Sequence, residues 1–146
     1  MIVAGGQLTL KEKRIYERVN TLREVLSIFC QLPAQRWCIE SGTEYSHRSL
    51  DAARGCIVAR FTMAEMHWAR FGEEIADVNS GTLKEQVVNK DKIKALKQQG
   101  LRDSLRALKC DVIPGIIEKL NLLDTDILGP DHADSLGVAY CHALGK

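Results

Sequence analysis

Ile15, Val19, Leu22, Leu26 and Phe29 recur at intervals of three and four residues, the period that lines side chains along one side of an α-helix. Lys13, Arg14, Glu17 and Arg18 fall mostly between them, so the spacing predicts an amphipathic helix with one face in a core and the other in water. Thr9-Leu10-Lys11-Glu12 has the form of a capping box and places the helix start there. Pro33 ends it. An apolar helix face needs a surface to pack on, and the flanking segments read as strands. Ile2 to Leu10 is an extended candidate broken by Gly5-Gly6, and Trp37-Cys38-Ile39 is a short buried run followed by Ser41-Gly42-Thr43. Glu40 then stands where a strand opens into a loop. Residues 73–78 form a weaker strand candidate, closed by Asn79-Ser80-Gly81 as a turn.

Ser46 or Ser49 caps a second helix, in which Leu50, Ala53, Ile57 and Phe61 are the expected buried stripe through about Met66. The small residues of Ala53-Arg54-Gly55-Cys56 would let that helix press closely on a sheet. Lys92 to Lys109 reads as a basic amphipathic helix interrupted by Gly100, and Pro114-Gly115 as a break before another turn or two at Ile116 to Leu120. Gly129-Pro130 opens a final helix, since proline suits the first helical position. Strands alternating with helices indicate an α/β fold with helices on the faces of a sheet. At 146 residues the expectation is a single domain spanning 1–146.

Apolar residues make up 45% and charged residues 27% of the chain, a globular rather than disordered or fibrous profile. No apolar run reaches the length of a membrane span. Met1-Ile2-Val3-Ala4 has neither the basic flank nor the apolar length of a signal peptide, so the expected location is cytoplasmic. Cys30, Cys38, Cys56, Cys110 and Cys141 are scattered without metal-ligand spacing and read as buried thiols. The net charge of +1 is not the footprint of a nucleic-acid binder, but it is unevenly spread. Residues 84–110 hold eight Lys/Arg against three Asp/Glu, and residues 111–146 hold two against six. Such a separation can set phosphate-attracting charge beside metal-binding carboxylates, and a solvated lysine-rich helix face gives the same count.

Asp131 and Asp134 are three apart on the final helix, so their side chains share a face near its start. They can share a magnesium ion, which prefers hard oxygen ligands and retains waters, or simply complement the helix dipole by about 0.3–1 kcal/mol each. Glu40 ends a strand, and open α/β sheets build their sites at the carboxyl ends of strands. The alternative is that it points into solvent. His132 should turn to a different helix face from the aspartates and lie at the surface, while His142 suits the helix C-terminus. Trp37 and Trp68 read as core or interface residues.

Asp131-His132-Ala133-Asp134-Ser135-Leu136-Gly137-Val138-Ala139-Tyr140-Cys141-His142 resembles the final helix of the RuvC-type Holliday-junction resolvases. Cys38-Ile39-Glu40 resembles that family's strand ending in a catalytic Glu, and Ala53-Arg54-Gly55 the small-residue segment of its next helix. Leu83-Lys84-Glu85-Gln86-Val87-Val88 is similar to its lysine-bearing segment, and Lys97-Gln98-Gln99 falls near a second basic site. The resemblance implies a ribonuclease-H-like mixed sheet flanked by helices, acting as a homodimer on branched DNA in recombination and repair. It implies a magnesium-dependent endonuclease, with manganese as a substitute, that nicks phosphodiesters at four-way junctions. Glu40, Asp131 and Asp134 would be catalytic metal ligands, with Lys84, Lys97, Tyr45 and Arg54 at the DNA. Three departures accompany this. The family's first strand bears another catalytic Asp that has no match here: either Met1 to Leu10 resembles a later strand, as in an N-terminally truncated domain, or Ile2-Val3-Ala4-Gly5-Gly6 stands in for the first strand with glycine in the acid's place. Thr43 stands where the family presents an aromatic, with Tyr45 two residues on, and residues 111–128 resemble an insertion. Two other readings stay open: a resolvase-fold module that binds branched DNA without cutting it, and an interaction protein dimerising through the helix Thr9–Gln31.

Overall fold

The computed structural model describes residues 8–31, 36–41, 49–99 and 109–146. Six α-helices and two short parallel strands occur among the described residues, so the chain is α/β and mostly helical. It divides into two compact units, Leu8–Asp77 and a second whose main part is Val78–Lys146.

In the first unit, α1 (Ile15–Phe29) leads to β1 (Cys38–Ser41), and α2 (Leu50–Phe71) connects β1 to its parallel neighbour β2 (Ala76–Asn79), within which the unit boundary falls. The helix stripe at Ile15 to Phe29 is confirmed as an element, with Leu22 buried, but α1 does not start at Thr9. Its N-cap is Arg14, which makes no side-chain cap bond. Glu12 is occupied otherwise: its carboxylate accepts the Thr21 hydroxyl at 2.7 Å and its carbonyl accepts the Arg18 guanidinium. The Thr21 hydrogen bond, first among several causes, lowers the Glu12 carboxyl below the usual range. Glu12 thus folds back over the helix, where a capping box would need it inside the first turn.

α2 is capped at Ser49, whose hydroxyl accepts the Ala52 N–H at 3.1 Å, and Gly72 ends it in the left-handed conformation, φ 68°. Its buried side is the reverse of the expected one. Leu50, Ile57 and Phe61 are exposed, while Thr62 and His67 are buried. Each makes a local bond: Thr62 donates to the Val58 carbonyl at 2.8 Å, and His67 Nδ1 donates to the Glu73 carbonyl at 2.9 Å, while its buried Nε2 has no partner among the described residues. Local bonds of this kind remove most of the penalty for burying a polar side chain. Trp37 and Phe71 enclose the His67 ring, with centroids 6.1 and 4.7 Å away.

The second unit holds α3 (Ser80–Val87), α4 (Lys90–Gln98), α5 (Lys109–Leu120), a 3-10 turn at Asp124–Asp126 and α6 (Pro130–Ala143). Asn79 and Asn89 cap α3 and α4 through the Gly81 and Asp91 N–H groups. Asn79-Ser80-Gly81 is therefore a helix start rather than a closing turn. Nor do Pro114 and Gly115 break the chain, for both lie inside α5. Proline there forfeits a helical hydrogen bond, at about 3 kcal/mol or more, and burial of Val112 and Ile116 on the same helix offsets it. The core gathers α3, α5 and α6 around Leu83, Val87, Ile116, Val138 and Cys141. A Cβ on Gly137 would stand 3.0 Å from Leu83 and 3.1 Å from Ile116, so glycine lets the three helices meet. Of the cysteines, Cys141 is buried, burial raising its thiol pKa, but Cys110 is exposed, against the expectation of five buried thiols. The strand expected at Ile2 to Leu10 and the turn at Gly42-Thr43 lie wholly or partly outside the described residues.

Candidate functional site

α6 places two of the expected carboxylates together. Pro130 occupies the first position, and the buried residues Ala133, Gly137, Val138 and Cys141 fasten one side of the helix to the core. Asp131 is exposed in the first turn, and Asp134, one turn along, is half-buried. Both lie near the end where unpaired backbone N–H groups give a partial positive charge. His132, expected at the surface, is buried. Its Nδ1 accepts the Leu128 N–H at 3.0 Å, which ties the loop before α6 to the helix and fixes how the aspartates are presented. No sequence pattern announces that bond, because it spans an irregular loop.

Glu40 is half-buried in β1, which continues through Ser41, so Glu40 lies inside the strand rather than at the loop junction. It belongs to the Leu8–Asp77 unit, and Asp131 and Asp134 to the other. Among the described residues no group of three or more His, Cys, Asp or Glu side chains that could hold a metal ion is present. The Asp131 and Asp134 pair does fit the donor chemistry of magnesium, which keeps several waters and takes one or two carboxylates together with substrate phosphates.

The basic residues fall on three helices. Lys84 is half-buried in α3, Arg54 is exposed on α2, and Lys97 is exposed on α4, where it meets the Glu85 carboxylate at 3.5 Å. Tyr45 lies outside the described residues. Lys90, Lys94 and Lys97 share one face of α4 around Ile93 and border an open depression of about 500 Å³. Their spacing of four and three is readable in the sequence, and the resemblance picks out Lys97 alone among them. Lys92 points elsewhere and pairs with Asp111 at 2.8 Å. Ion pairs as exposed as Lys97–Glu85 contribute about 0–1 kcal/mol, so a phosphate can displace the carboxylate cheaply.

Compared with family models and with curated proteins, the sequence matches none.

Proposed function

We propose that this chain is a magnesium-dependent, structure-selective endonuclease of the RuvC type, built on a ribonuclease-H-like fold, that nicks phosphodiesters at four-way DNA junctions. The observation that carries the reading is α6: the whole resemblance motif lies in one helix, with Ala133, Gly137, Val138 and Cys141 buried and its two aspartates at the N-terminal end. The parallel β1–α2–β2 unit, with Glu40 in its first strand, is consistent with the proposed fold. In this reading Glu40, Asp131 and Asp134 are the carboxylates that hold divalent cations. When bound, such ions supply an activated water and charge stabilisation at the leaving oxygen of a phosphodiester. The chain's own groups then have distinct tasks. His132 and the packing of Gly137 hold the aspartates in place, and Lys84 and the α4 lysines attract the DNA backbone.

Calorimetric titration with magnesium tests the ligand assignment. The wild type should bind, and Glu40→Gln and Asp134→Asn should each weaken binding at least tenfold; identical titrations would refute it. Gel shift on a four-way junction tests the DNA part, with preference over linear duplex as the expected result. Junction binding without strand scission in magnesium or manganese would select instead the module that recognises branched DNA without cutting.

A further inference from the structure

The Leu8–Asp77 unit contains a groove of about 640 Å³. Ile57, Phe61, Ala64 and Trp68 line it from α2, at spacings that form one helical stripe. Ile39 of β1 and Ile75, just before β2, add to the apolar lining. Concave sites of about 300–1,000 Å³ with apolar and aromatic walls and a few polar groups are the usual form of small-molecule sites. Phe61 and Trp68 are exposed by 73% and 58%, so both rings keep surface to offer an occupant. The charged groups of the lining decide what that occupant carries. Among the described residues they are Arg60, Asp77 and Glu74. The Arg60 guanidinium is held by the Asp77 carboxylate at 3.1 Å, so these two charges largely cancel. Glu74 is exposed and has no hydrogen bond or ion pair among the described residues. The groove therefore presents apolar walls and one surplus negative charge.

We propose that this groove binds a small organic amine, a protonated nitrogen carried on an aryl or alkyl body. The body covers Phe61, Trp68 and the isoleucines and takes their apolar surface out of water. The ammonium group meets the Glu74 carboxylate, and the negative faces of the two aromatic rings attract the same charge. A carboxylate or phosphate on an equal body would set its charge against Glu74 and find Arg60 already engaged by Asp77. An uncharged body gains the burial alone. Two opposite unit charges about 4 Å apart in water interact by about 1 kcal/mol, a factor of about five in affinity, so the amine exceeds its neutral counterpart by about that much. None of the residues given metal or DNA roles lines the groove, and the inference is independent of the nuclease reading.

Titration of the full chain with 4-phenylbutylamine, 4-phenylbutanol and 4-phenylbutyrate, which share a body and differ in charge, tests it at neutral pH without DNA or divalent metal. The readout is the NMR signal of the Trp68 indole N–H. Trp37, which lies against His67 and does not line the groove, is the internal reference. The amine should move the Trp68 signal saturably and bind about fivefold tighter than the alcohol, with the butyrate weakest. Glu74→Gln, at an exposed position, should bring the amine down to the alcohol's affinity and leave the alcohol unchanged. Phe61→Ala should weaken all three and preserve their order. No saturable shift with the amine, a butyrate that binds as tightly as the amine, a preference for the amine that survives Glu74→Gln, or affinities indifferent to Phe61→Ala would each overturn the proposal.

Discussion

Two glycines show how one residue type has opposite roles in this chain. A Cβ on Gly115 would stand 2.2 Å from the Val87 carbonyl oxygen, backbone against backbone, with nothing able to swing away. Gly115→Ala should therefore destabilise by about 1–3 kcal/mol through overpacking, despite alanine's helix preference. At Gly55, inside α2, no atom lies within 4 Å of the added Cβ, so Gly55→Ala should stabilise by about 0.5–1 kcal/mol. Urea denaturation of both variants checks the pair. His67 supplies a pH dependence. Burial, with a smaller contribution from Arg36, lowers its pKa below the ordinary 6.5. Its Nδ1 proton is already donated to Glu73 and its buried Nε2 has no partner among the described residues. The unfolded chain therefore binds a proton first as pH falls, so His67's contribution to stability is complete above about 6.5 and declines below it. Thermal melts should show that acid-side loss in the wild type and less of it in His67→Phe, and equal slopes would contradict the assignment.

At the scale of elements, periodicity located helices better than it oriented them. The stripe from Ile15 to Phe29 and the proline start at Pro130 both gave real helices, because helical period and the missing proline N–H are local properties. In α2 the same reasoning placed the helix and chose the wrong face, since a period reveals a stripe without revealing whether this chain or another molecule covers it. Thr62 and His67 can be buried there because the Val58 and Glu73 carbonyls accept from them, which helical period does not show. Pro114 and Asn79 misled for a related reason, as local breaking signals outweighed by burial or converted into a cap. Two consequences follow for α3 and α5. Asn79→Ala should cost about 1 kcal/mol by removing the Gly81 cap bond. Pro114→Ala, at an exposed position, should raise stability by about 1–3 kcal/mol by restoring a helical hydrogen bond. Chemical denaturation of each variant against the wild type provides the check.

For the whole molecule, the sequence made the individual site residues legible more readily than their assembly. Asp131 and Asp134 share a helix, so their proximity follows from spacing alone. Glu40 is distant in the chain and belongs to the other compact unit, so the proposed three-acid site asks for a tertiary arrangement that no local pattern encodes. The charge separation between residues 84–110 and 111–146 is a molecular property too, and under the proposed reading any junction affinity should fall as salt rises through counterion release. The proposed activity joins these scales, since buried packing must hold acids against a substrate that lysines have attracted. Its most direct test is strand scission of a synthetic four-way junction in magnesium, compared with linear duplex of the same sequence. The account predicts paired nicks in the junction and little in the duplex, with cutting reduced by orders of magnitude in Asp134→Asn while junction binding persists. Equal cutting by wild type and Asp134→Asn, or no cutting and no junction binding by either, would contradict it.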